Sequence, residues 1–159
     1  MAAPETESEY DPYAWHDDTV YVMRFHTPDL ISPPDRPDDW ASLFVLDIDH
    51  IVAWACAGED VRFSVAPADL IFREVCDLEI AVDWGDSNGL IGLHEPPIDH
   101  MAREPVAVPG GRSPVFQWRI VLNYPAGGAI DFRARGFDLK LRRPPVLRDE
   151  QRCIRTAER

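Results

Sequence analysis

Proline sets the strongest limit on what this chain can fold into. Fifteen prolines stand among 159 residues, against nine glycines. Each one lacks a backbone N–H and its ring crowds the preceding turn, so a helix rarely continues through it. They cluster at 28–37, 96–109 and 144–145, with others scattered between. Uninterrupted stretches are therefore too short for long helices, and the chain is expected to use short strands joined by rigid loops. A chain of this length matches one ordinary domain, which buries roughly two thirds of the surface its unfolded form exposes.

The apolar pattern between the prolines has a period of two. In 43–54 the even positions Phe44, Leu46, Ile48, Val52 and Trp54 make one apolar face, interrupted by His50, while Asp47 and Asp49 fall on the other. That is the signature of a half-buried strand, with Phe44, Leu46, Ile48 and Trp54 in the core and the two aspartates toward solvent. Residues 19–27 read as a first strand ended by Pro28, and Val61, Phe63 and Val65 repeat the alternation before Pro67. Over 70–84 the phase breaks at Val75, predicting a bulge or turn around 74–77. Residues 89–93 read as a short strand and 94–114 as a long irregular excursion. A hairpin is expected where 116–124 turns at 125–128 into 130–134, and Gly136 permits a bend before the alternation of 137–141, closed by Pro144 and Pro145. The expected fold is mainly β: an antiparallel β-sandwich or open barrel of about seven to nine strands, with a short C-terminal helix. Residues 1–14 are expected to form an acidic tail until Tyr13 and Trp15 reach the core, 15–147 a single β domain, and 148–159 a helix or tail.

The net charge of −12 is unevenly placed. Residues 1–60 hold 14 Asp and Glu against Arg24 and Arg36, while the rest of the chain is balanced. From Asp131 onward basic residues prevail, so the molecule is polarised if its ends lie on different sides. An acidic surface repels nucleic acid phosphates and attracts a basic protein. Cys56, Cys76 and Cys153 are odd in number and lack a C-x-x-C spacing, no apolar leader opens the chain, and no apolar run reaches the ~20 residues of a membrane helix. These features predict a cytoplasmic protein with free thiols and no membrane contact.

No phosphate-binding loop, dinucleotide glycine fingerprint, nucleophile elbow or H-E-x-x-H occurs. The residues left with chemical interest form a candidate binding surface of Trp15, His16, Asp17, Asp18, Asp47, Asp49, His94 and His100. His16 beside two carboxylates is a proton-transfer pair on paper, though neighbours in sequence rarely point at one another; Asp17 or Asp18 is equally suited to cap the turn into the strand, with Trp15 as anchor. Asp47 and Asp49, about 7 Å apart by two strand rises, match a divalent cation in residue type but also match any solvent-facing strand surface. His50, within an apolar face, reads as a hydrogen-bonded core or rim histidine. His94 and His100 lie in the proline-rich excursion with Glu95 and Asp99 and fit no zinc spacing. No metal and no cofactor is expected.

Taken in order, W-H-D-D-x-V at 15–20, L-D-I-D-H-I at 46–51, L-I-F-R-E-V-C-D-L at 70–78 and G-F-D-L-K-L-R at 136–142 resemble an uncharacterised group of small β-rich bacterial proteins. The His-Asp pair opening the first strand, followed by F-x-x-V-x-D-L at 72–78, is similar to small immunity proteins of bacterial toxin systems. That resemblance implies tight binding of a toxin rather than catalysis and carries over no site residues. The expected function is a non-enzymatic binding protein, immunity-type, presenting an acidic surface to a basic protein. The alternative is a small hydrolase or cyclase using His16, Asp17, Asp47, Asp49, His94 or His100 at the mouth of the β-fold, which requires them to converge on one pocket.

Overall fold

The computed structural model describes residues 10–27, 42–58, 60–85, 94–107 and 114–149. They form nine strands and no helix: β1 Thr19–His26, β2 Leu43–Ala57, β3 Asp60–Arg73, β4 Cys76–Ala81, β5 Ile98–Val106, β6 Val115–Leu122, β7 Ala129–Ala134, β8 Gly136–Leu141 and β9 Val146–Arg148. Two antiparallel sheets result. One runs β1-β2-β3-β8, with β9 also pairing β3; the other runs β4-β7-β6-β5. The chain changes sheet through short joints, Glu74 and Val75 after β3 and Arg135 alone after β7. Left-handed backbone at Glu74 (φ 54°) and Asp77 (φ 53°) makes the first joint, matching the phase break expected at 74–77. A bridge between Thr19 and Pro97 places the starts of β1 and β5 together. These joints put β1 and β5 at one edge of the two-sheet stack and β8 at the other.

Alternation fills the space between the sheets. Phe44, Leu46 and Ile48 of β2, Leu70 and Phe72 of β3, Trp118 and Ile120 of β6, and Ile130 and Phe132 of β7 are fully buried in one cluster. Phe72 is its centre, with ring centroids 4.7 Å from Phe132 and 5.2 Å from Trp118, both edge-on. Trp15 closes one end, edge-on to Phe137 at 5.0 Å. Edge-to-face pairs of this kind add about 0.5–1.5 kcal/mol each beyond area burial.

Several expectations are corrected. Trp54 is 55% exposed instead of buried. Ile51 pairs Val65 and Ala53 pairs Ser64, so Val52 is an extra residue in the ladder. One extra residue reverses the facing of everything beyond it. Trp54 thus pairs Phe63 on the outer face, beside the small cluster of Ile51, Phe63 and Val65. Second, β3 runs straight through Pro67. The Pro67 carbonyl accepts from Arg142 N at 2.8 Å in the gap between β8 and β9, so its nitrogen faces a place where no strand needs a donor.

Third, the excursion 94–114 contains β5, an edge strand paired with β6 along its whole length. Its Pro105 is exposed on that edge, where a missing N–H costs no ladder bond. Fourth, residues 10–14 pack as a strap instead of a tail: the Tyr10 hydroxyl donates to Met101 O at 2.5 Å and Met101 N to Pro12 O at 2.9 Å. Tyr13, expected in the core, is 61% exposed. At the other end, Val146–Arg148 is a strand on β3 where the helix was to begin, and 150–159 lie outside the described residues. The strand expected at 89–93 also lies outside them.

Candidate functional site

The strap 10–18 runs along the free edge of β5 and brings the candidate residues to it. Asp17, in left-handed backbone at φ 67°, turns the chain so that its N–H donates to Ile98 O at 2.7 Å, and Ile98 N returns a bond to Asp18 O at 2.9 Å. Asn123 Nδ2 donates to the Asp17 carboxylate at 2.9 Å, tying the turn to the β6–β7 loop. Aspartate tolerates this backbone region better than most residues because its short side chain bonds locally.

His16 and Asp17, adjacent in sequence, stand 3.6 Å apart at their nearest charged atoms, too far for a hydrogen bond. His16 reaches Asp99 instead, its Nδ1 lying 2.7 Å from the Asp99 carbonyl oxygen. A carbonyl only accepts, so this bond places the proton on Nδ1 and leaves Nε2 as the acceptor in the neutral ring. His100 Nδ1 lies 2.8 Å from the Asp99 carboxylate. The exposed Tyr13 ring stands over both histidines, with centroids 6.4 Å from His16 and 5.8 Å from His100. Tyr13, His16, Asp17, Asp99 and His100 thus make one partly exposed rim. Tyr13 and Asp99 are brought to the rim by contacts that span more than 80 positions, His16 to Asp99 and Tyr13 to His100.

Asp18 points the other way and is completely buried. Its carboxylate meets His50 Nδ1 at 2.7 Å and accepts from Ile51 N at 2.8 Å. Burial pushes its pKa up from the ordinary carboxylate value; the His50 and Ile51 contacts oppose that rise and the nearby Asp49 charge adds to it. His50 is hydrogen-bonded and largely buried, within the core-or-rim role its sequence position suggested.

Asp47 and Asp49 lie on the outer face of the first sheet, away from this rim. Contrary to the expectation of a solvated face, Asp47 is 7% exposed and Asp49 fully buried. Arg142 grips both Asp47 oxygens, and the Tyr21 hydroxyl donates to Asp49 at 2.9 Å. Neither is placed to meet a partner directly. Trp15 is likewise buried, as an anchor of the strap. His94 is exposed beside a groove of about 310 Å³ between β1 and the Trp84 side chain, whose indole donates to His94 O at 3.0 Å.

The eight candidates therefore separate into a rim (His16, Asp17, His100), a buried set (Trp15, Asp18, Asp47, Asp49) and His94 apart. Neither described groove is lined by a rim residue. Among the described residues no three His, Cys, Asp or Glu side chains stand close enough to share a metal ion, and no helix is long and apolar enough to cross a membrane. No protein family, curated protein or solved structure matches the chain.

Proposed function

We propose that this chain is a non-enzymatic binding protein that offers its acidic rim to a basic protein partner. The observation that carries this reading is the uneven distribution of arginine partners. On the strands and their joints, Asp47, Asp69, Glu74, Asp77, Asp131 and Asp138 each have an arginine within ion-pair distance, whereas Asp60, Glu79 and Glu104 have none among the described residues. At the rim, Asp11 and Asp99 have no arginine or lysine ion pair among the described residues, and neither do Asp83 and Glu95. Negative charge is thus left uncompensated where an exposed tyrosine and two histidines supply contact area and hydrogen-bonding groups. Rim charge of this kind speeds association and makes it depend on salt. Tyrosine is among the residues that anchor interfaces.

The scatter of the other candidates favours recognition over catalysis, since acid, base and nucleophile must share one concavity to react. The test is capture from an extract of the native host on immobilised protein, comparing the native chain with a Tyr13→Ala, Asp99→Asn double variant. A basic protein retained by the native chain, released by salt and lost from the variant is the expected result. Retention of the same partner by the variant, or of acidic partners alone, rejects the reading.

A further inference from the structure

The edge opposite the rim carries the reverse charge. Among the described residues β8 is the last strand of its sheet, bonded to β3 on one side and to no strand on the other. Along it runs a groove of about 620 Å³ whose walls include Ile71 and Arg73 of β3, Lys140 and Leu141 of β8, and Arg143 and Pro144 just beyond. The register puts Ile71 opposite Asp138 and Asp69 opposite Lys140, so Ile71, Asp138 and Lys140 share the outer face. Two of the cations here are already engaged: Arg73 pairs with Asp138, and Arg142 with Asp47. Lys140 and Arg143 are exposed and have no carboxylate within ion-pair distance among the described residues, in a chain of net charge −12. Lys140 is also the only lysine in the sequence.

We propose that the open edge of β8 binds an acidic extended peptide by strand addition, with Lys140 and Arg143 receiving its carboxylates. An unpaired strand edge presents a row of N–H and C=O groups that an extended chain completes, and pockets for alternate side chains give selectivity. Ile71, Leu141 and Pro144 provide the apolar part of such a pocket. Lysine at an edge ordinarily deters pairing with another strand by its charge. Here the deterrent is selective, because a strand bearing carboxylates at alternate positions relieves it. A polyanion such as nucleic acid would match the charges but leave the strand edge and the apolar wall unused.

The test uses fluorescence anisotropy of a labelled peptide of alternating valine and glutamate, measured against the full chain. Three controls accompany it: the same peptide N-methylated at alternate backbone nitrogens, a valine–lysine peptide, and a single-stranded oligonucleotide. Binding of the acidic peptide is expected to weaken about tenfold or more in a Lys140→Glu, Arg143→Glu variant, a size usual for reversing charges at an interface. Both residues are exposed, and an unchanged melting temperature will show that the variant folds. Bound peptide should also protect Lys140, the one side-chain amine, from an amine-reactive reagent read by mass spectrometry. Equal binding by the N-methylated peptide would reject strand addition, tighter binding of the oligonucleotide would reject the peptide class, and undiminished binding by the variant would reject the site. Loss of the rim's basic partner would touch none of these readouts.

Discussion

Arg142 holds Asp47 through both carboxylate oxygens, at 3.0 and 2.5 Å, across 95 positions of chain. A planar guanidinium matched to a carboxylate in this way is among the stronger side-chain contacts in proteins. Because Asp47 is nearly buried, Arg142→Ala is expected to destabilise the domain by about 1–3 kcal/mol, the cost of leaving a buried polar group without its partner. Denaturant unfolding would read this, and a change under about 0.5 kcal/mol, as at ordinary surface positions, would show the pair to be idle. With both Asp47 oxygens taken by the guanidinium, added Ca²⁺ or Mg²⁺ should leave the melting temperature unchanged; a saturable rise would mean that the ion displaces Arg142.

Asp18 predicts a pH dependence. Its folded pKa is raised above the unfolded value of about 3.8, chiefly by burial. Between the two pKa values the folded state holds a proton that the unfolded state has lost, so stability falls as pH rises. The contribution is fully present below the unfolded pKa and is lost as pH climbs through the folded one, at no more than about 1.4 kcal/mol per pH unit. Asp18→Asn removes the titration while keeping an oxygen to accept from Ile51 N. Unfolding curves of the two proteins across acidic to neutral pH should show the native chain losing stability relative to the variant as pH rises. Parallel curves would reject the assignment.

The bulge at Val52 separates two side chains that alternation alone would group. Ile48→Ala should cost about 2–5 kcal/mol, as for truncation of a buried aliphatic residue, because Ile48 is fully buried between the sheets. Trp54→Ala should cost well under that, since more than half of the side chain already meets solvent. Comparable losses would place Trp54 back in the core.

The strap depends on Tyr10. Its hydroxyl bonds Met101 O, its ring is edge-on to Trp118 at 5.8 Å, and the Arg103 guanidinium lies 4.2 Å from the ring centroid. Tyr10→Phe should cost about 1 kcal/mol, the net value of one hydrogen bond, and Tyr10→Ala about 2–3 kcal/mol through lost packing. An alanine variant melting with the native chain would mean that the strap contributes nothing to the fold.

What could be read from the sequence was whatever follows from local period. The strand 43–54, the break at 74–77 and the 116–134 hairpin are each set by neighbours within about twenty residues, and each appears where expected. The errors have one physical source. Val52 is apolar like the residues around it, so nothing local marks it as the residue that flips the ladder. Asp47 and Asp49 read as solvated because their partners, Arg142 and Tyr21, lie far off in sequence or on another strand. The rim was half legible: His16, Asp17 and His100 stood out by residue type, whereas Tyr13 and Asp99 gain their places only when the strap meets β5.

That meeting also orders events during synthesis. His16 cannot reach its acceptor until the ribosome has added the 83 residues that separate it from Asp99, about 4–17 s at ordinary elongation rates. β3 waits for β8 and β4 for β7 over comparable spans. The emerging chain thus carries the β2–β3 hairpin, with Trp54 and Val61 on its surface, well before the partners of β3 and β4 exist. The stretch made first is also the most acidic, with 14 Asp and Glu against two Arg in residues 1–60, so like-charge repulsion between growing chains acts throughout that interval.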